Sequence, residues 1–217
     1  MRRKPHDTRI GMLLALVPAL LLVVLAALPA FGAVGCDLND ADRDVPRLFP
    51  GATRYQSIYV SIQKKGGAAL QHRIEGRLGE RHLALYAPID VPYTIYEIYS
   101  GPKKVGYIHG VNQKGQFGGI QVFIAQDLSG KVKTFYIQKM TGPAAAKMRD
   151  PRFAKHFVGV TLKDFDSYDP ITGKGTGRLA HVPNPAPEME TDFFGVLRGL
   201  KKNLVLMDAF IFSGGNP

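Results

Sequence analysis

From Met12 to Gly35 the chain runs without a charged residue and without Asn or Gln, behind a basic front of Arg2, Arg3, Lys4 and Arg9 against a single Asp7. About 20 apolar residues suffice to cross the hydrocarbon core of a bilayer, so this run is long enough to be a membrane span. A basic front followed by an uncharged stretch is equally the pattern of a long signal peptide. Either way the positive-inside bias leaves the first residues cytosolic and sends the remainder across. The sequence therefore predicts a membrane-anchored chain facing the periplasm or cell exterior, with residues 1–35 as signal anchor or lipoprotein signal. The residues around Arg2-Arg3 do not support a twin-arginine signal.

The run closes in Ala33-Val34-Gly35-Cys36, small residues before the chain's one cysteine. It is similar to a bacterial lipobox, which would make Cys36 a lipidation site. With no cysteine beyond it, disulfides, iron–sulfur clusters and thiolate zinc sites are excluded inside the domain. The formal charge of +10 is supplied partly by the leader, and elsewhere basic and acidic residues are interspersed. A solvated basic face or attraction to anionic headgroups accounts for that excess without nucleic acid.

Asp37, Asp40, Asp42 and Asp44 mark 36–54 as a juxtamembrane linker, and Pro46 and Pro50 argue against a regular element there. Tyr55 to Gln63 alternates as a strand and Lys64-Lys65-Gly66-Gly67 turns it. The segment from Ala69 to Tyr86 fits a strand or a short helix, and 55–92 is read as an N-terminal extension. Strands are then predicted at Tyr93–Tyr99, Val105–Val111, Ile120–Ala125 and Val132–Lys139, joined by short polar turns into an antiparallel meander. Val122, Ile124, Phe135 and Ile137 are its core candidates. Two short helical pieces are predicted in Ala144–Phe157, because Pro151 interrupts a single one. From Glu190 to Leu206 a helix is predicted, with Phe193, Phe194, Leu197, Leu200, Leu204 and Met207 on its apolar stripe and Arg198, Lys201 and Lys202 facing solvent. The domain spans 93–212 and 213–217 is a tail. The fold class is α+β, an antiparallel meander packed with helices behind an N-terminal anchor helix or lipoprotein signal.

Val105-Gly106-Tyr107, the turn Gly115-Gln116-Phe117-Gly118-Gly119-Ile120, the hairpin Asp127-Leu128-Ser129-Gly130-Lys131 and the closing helix from Phe193 follow one another in a familiar order. So does Asp169-Pro170-Ile171-Thr172-Gly173-Lys174-Gly175-Thr176. Together they resemble the FMN-binding domain of the periplasmic flavin subunits of Rnf and sodium-pumping NADH:quinone oxidoreductase complexes, and of nitrous oxide reductase regulators. The resemblance implies FMN, with its phosphate near Thr172, Gly173, Lys174, Gly175 and Thr176, its ring beside the turn that holds Gly118 and Gly119, and Thr141 in a further block that contacts the cofactor; a β-bulge or hairpin turn is the other use of those two glycines. The family's phosphoester threonine follows a single alanine. Here Lys174-Gly175 displaces Thr176 by one residue, so the implied binding is noncovalent. A glycine-rich loop beside a cation also suits phosphate on chemical grounds, although a solvent-exposed turn has the same composition.

The residues outside this resemblance add little chemistry. No histidines pair at i,i+4, Asp164, Asp166 and Asp169 match no calcium loop, and no hydrolase motif is present. The implied function is electron relay between membrane redox partners, the flavin supplying the chemistry. The alternatives are a flavin-free scaffold or assembly lipoprotein of the same fold, and a small-ligand-binding envelope lipoprotein. Whether the chain is an enzyme is left open.

Overall fold

The computed structural model describes residues 36–80 and 90–213. From Cys36 onward the described residues belong to one compact unit. Its centre is a five-stranded antiparallel sheet in the order β1-β2-β3-β4-β5, formed by Arg54–Val60, Tyr93–Ser100, Lys103–Gly115, Gly118–Gln126 and Val132–Lys139. Sequence neighbours are spatial neighbours throughout; short turns join β2 to β3, β3 to β4 and β4 to β5, whereas a helix lies between β1 and β2 in the chain. The meander predicted from Tyr93 is present, and β1 extends it by pairing with β2 from Arg54↔Tyr99 to Val60↔Tyr93.

Alternation along the strands gives the sheet two apolar faces. On the first, Val122, Ile124, Phe135 and Ile137 are buried against the helix α5, Glu190–Met207. Two glycines on this helix let it ride close to the sheet. A Cβ at Gly199 would lie 2.9 Å from Val122, and one at Gly195 would lie 3.0 Å from Ile120. The helix α2, Ile62–Leu78, shares this side through Leu70, Ile74 and Leu78. It begins at Ser61, whose hydroxyl accepts from the Lys64 amide, and ends at Gly79 in the left-handed region. The turn expected at Lys64–Gly67 is a kink inside this segment, at Gly66 and Gly67.

The second face is covered by Cys36–Phe49, which was expected to be a linker. Asp40 caps the helix α1, Ala41–Leu48, by accepting from the Arg43 amide at 3.1 Å. Val45, Leu48 and Phe49 then pack on Tyr96, Ile98, Ile108, Phe123 and Ala125. The missing side chain of Gly106 admits the Phe49 ring, which a Cβ would meet at 2.5 Å.

After β5 come the helices α3, Ala145–Met148, and α4, Pro151–Lys155, with Pro151 at the first position of α4 as its fixed φ favours. Phe153 and Phe157 clamp this pair to Phe135 of β5. The three rings meet nearly perpendicularly, with centroids 5.2–5.7 Å apart. Such edge contacts add about 0.5–1.5 kcal/mol per pair beyond burial. A two-strand hairpin follows, β6 (Tyr168–Asp169) with β7 (Lys174–Gly175).

Two expectations are corrected here. Lys202 does not face solvent; it is 2% exposed. The fold is α+β, but no helix among the described residues is long and apolar enough to cross a membrane. The run 12–35, on which the anchor rested, lies outside the described residues. The described structure therefore gives no support to a membrane tether, to membrane redox partners or a lipid bilayer as partner, or to a periplasmic or exterior location.

Candidate functional site

The residues expected to hold FMN fall into two groups on either side of the first turn of α5. Gly118 and Gly119, both exposed, open β4 directly after the Gln116-Phe117 turn, with Gly118 at φ +128°. The Thr141 hydroxyl crosses to it and donates to the Phe117 carbonyl at 2.8 Å. Phe117 rests on Gly142, where a Cβ would meet its ring at 2.4 Å. On α5, the buried Asp192 accepts from the Gln116 amide at 2.7 Å, tying this turn to the helix. On the other side, Gly173 lets the Phe194 ring approach to within 2.4 Å of where its Cβ would be.

The hairpin spends the donors that a phosphate would need. Asp169 accepts from the Ile171 amide at 2.9 Å and from the Thr172 hydroxyl at 2.8 Å. Its backbone carbonyl takes the Gly173 amide, and the Ser167 carbonyl takes the Thr176 amide. Burial works against the Asp169 carboxylate, but these bonds and nearby Lys201 hold its pKa below the usual value. A cradle needs convergent, free N–H groups; here an aspartate already occupies that place. Lys174 and Gly175 on the far strand, and Thr176 after it, are exposed. The loop residues do not fit the phosphate role expected of them. Asp164 is likewise engaged, accepting from the Thr161 amide and hydroxyl at 2.8 Å each.

Cys36 lies in the core beneath the sheet. Its sulfur is buried and donates to Asn112 Oδ1 at 3.5 Å, and burial pushes the thiol up to about 12. Asn112 also accepts, through its carbonyl, from Lys202 Nζ at 3.1 Å. Burial brings the Lys202 amine down to about 8, with Glu80 and Cys36 opposing that shift. One helical position on, Asn203 donates to the carbonyls of Val122 and Gly199, so its oxygen faces His109 Nδ1 at 2.8 Å. This assigns the ring proton to Nδ1 and leaves Nε2 buried without a partner among the described residues. Burial lowers His109 to about 4, so the ring stays neutral. The contacts of Lys202 and Asn203 tie α5 to β3 and β4.

A third region has both room and unspent charge. The sheet order leaves β5 at an edge. Beside it, walled by α3–α4 on one side and α1 on the other, lies a groove of about 510 Å³. Leu48, Phe135, Met148, Ala154 and Val158 form its apolar lining, and Val158 is 50% exposed. Arg47, Lys133, Arg149 and Lys155 ring it. Arg47 pairs with the buried Asp44 at 3.2 Å and stacks 3.7 Å over Tyr136. Asp150, the groove's carboxylate, is held to about 2 by Arg152. Lys133, Arg149 and Lys155 meet no carboxylate among the described residues. Arg149 donates instead to the carbonyls of Ile137 and Met140 at 3.0 and 3.1 Å, so it is held in place with its charge uncompensated.

The groove was not expected from the sequence. Its cations come from α1, β5, α3–α4 and their junction, and only the tertiary fold brings them together. No protein-family model matches the chain, and no curated protein matches it either. The flavin electron-relay function expected from the resemblance thus finds no family match. The hairpin geometry does not supply one, and that reading is set aside.

Proposed function

We propose that this chain is a binding module that takes an anionic, partly apolar ligand in the groove beside β5. One observation carries the reading: three cations without carboxylate partners among the described residues, Lys133, Arg149 and Lys155, surround an apolar floor. Ligand sites are concave, mostly apolar and oriented by a few polar groups, which is the composition found here. Each exposed cation adds about 0.2–1 kcal/mol toward an anion, and the apolar floor adds roughly 25 cal/mol per Å² covered.

The test is fluorescence titration with anilinonaphthalene sulfonate, an anion with an apolar ring system. The wild-type chain binds it saturably. The double variant Lys133→Glu, Lys155→Glu, both exposed sites, weakens binding at least tenfold without changing thermal stability. Equal affinity in the two proteins would contradict the proposal.

A further inference from the structure

We infer that the occupant of the groove is an extended acidic peptide that adds to β5 as a sixth strand; this rests on the groove reading above. A sheet edge presents unpaired N–H and C=O groups to an incoming chain. At one end of β5 the edge is already closed, since the Val132 amide donates to Val160 and its carbonyl accepts from Gly159 at 2.7 Å. At the other end Arg149 covers the Ile137 carbonyl. Between these closures no main-chain group of the described residues meets the edge, and the Phe135 carbonyl takes only a long contact of 3.5 Å from the Thr134 hydroxyl.

The direction of its free groups follows from the register. Tyr136 and Ile137 continue the pairing of Phe135 with β4 without a shift. The Ile137 carbonyl points away from β4, toward Arg149, so Phe135, two residues earlier, presents its N–H and C=O on the same outer side. Phe135 is one of the residues that line the groove. The bulge where β5 skips Lys133, together with its lysines, is the usual protection of an edge against self-association. Protection alone does not require an apolar channel of about 510 Å³ with Val158 half exposed at its rim.

Charge selects the partner. The rim of Lys133, Arg149 and Lys155 repels a basic or like-charged strand, including β5 of a second copy, and favours carboxylates. The open span is short, about 3.3 Å per residue over four residues, so recognition is of a short segment. Backbone pairing supplies register, apolar side chains meet the floor, and acidic ones meet the rim.

The experiment uses the full chain and a capped heptapeptide of alternating glutamate and valine. It is compared with two versions N-methylated on all valine or on all glutamate amides. In a strand, alternate residues direct their amides to opposite edges. Strand addition therefore predicts that one methylated peptide loses binding at least tenfold while the other binds like the parent. The Lys133→Glu, Lys155→Glu variant should lose the parent peptide as well. Equal binding of all three peptides, or loss with both methylated forms, overturns strand addition. If the sulfonate probe binds in the groove and the peptide does not, the groove reading stands and the peptide inference fails. If neither binds, both fail.

Discussion

Replacing Lys202 by methionine should stabilise the protein at neutral pH and destabilise it at alkaline pH. The amine is 2% exposed and its pKa falls from 10.5 to about 8, chiefly through burial. Below pH 8 the unfolded and folded chains both carry the charge, and the folded one bears the full cost of burying it. At about 1.4 kcal/mol per pKa unit, that cost is roughly 3 kcal/mol. Methionine removes it, but leaves the Asn112 carbonyl without its donor, a loss of about 1–2 kcal/mol. The variant should therefore be more stable by about 1–2 kcal/mol at pH 7. Between pH 8 and 10.5 the folded wild type is neutral at this site while the unfolded chain still binds the proton, so wild-type stability rises with pH. The burial cost disappears and the hydrogen bond remains, so the wild type should lead by about 1–2 kcal/mol near pH 10.5. Urea denaturation at the two pH values measures the difference, with Cys36→Ala in both proteins because the Cys36 thiol and Lys202 act on each other, and subtraction cancels Tyr93, whose pKa burial raises. A difference of the same sign and size at both pH values would refute the reasoning.

His109 makes the opposite end of the range unstable. Its folded pKa of about 4 lies below the ordinary 6.5, so stability is fully present above pH 6.5 and declines toward pH 4 as the unfolded chain alone takes up a proton. The loss is roughly 3 kcal/mol, and His109→Gln should flatten that limb in acid titrations of stability; an unchanged slope would count against it. Gly173→Ala should cost about 2 kcal/mol in urea denaturation, because φ of +70° disfavours a side chain and the new Cβ meets the Phe194 ring at 2.4 Å. An unchanged midpoint would show that the hairpin does not depend on this close approach. At pH 8 Cys36, buried with its thiol pushed up to about 12, should react with a disulfide reagent only as fast as the protein opens. Rapid stoichiometric labelling of the native chain would contradict its placement.

Local pattern made the meander legible. Val122, Ile124, Phe135 and Ile137 alternate strictly and share one buried face. Pro151 marked the break between α3 and α4, and the apolar stripe of α5 located its packing side. Where position depended on a distant partner, the pattern misled. Cys36–Phe49 has a proline and four aspartates, yet Asp40 caps a helix and Phe49 finds the space above Gly106. Lys202 lies in a basic cluster that looks solvated, but the approach allowed by Gly195 and Gly199 carries it beneath the sheet. The glycines of the Asp169 loop have the composition of a phosphate cradle; the aspartate's own hydrogen bonds decide against that use. The groove joins Lys133 of β5 to Arg149 and Lys155 across a chain reversal, and no spacing in the sequence encodes that meeting.

The most direct test of the groove is mapping backbone amide shifts of the labelled protein as the sulfonate probe is added. The account predicts that the largest shifts fall on 133–137 and 148–158, and that they vanish in the Lys133→Glu, Lys155→Glu variant. Shifts centred on Gly118, Gly119 and Thr172–Thr176, or none anywhere in the chain, would contradict it.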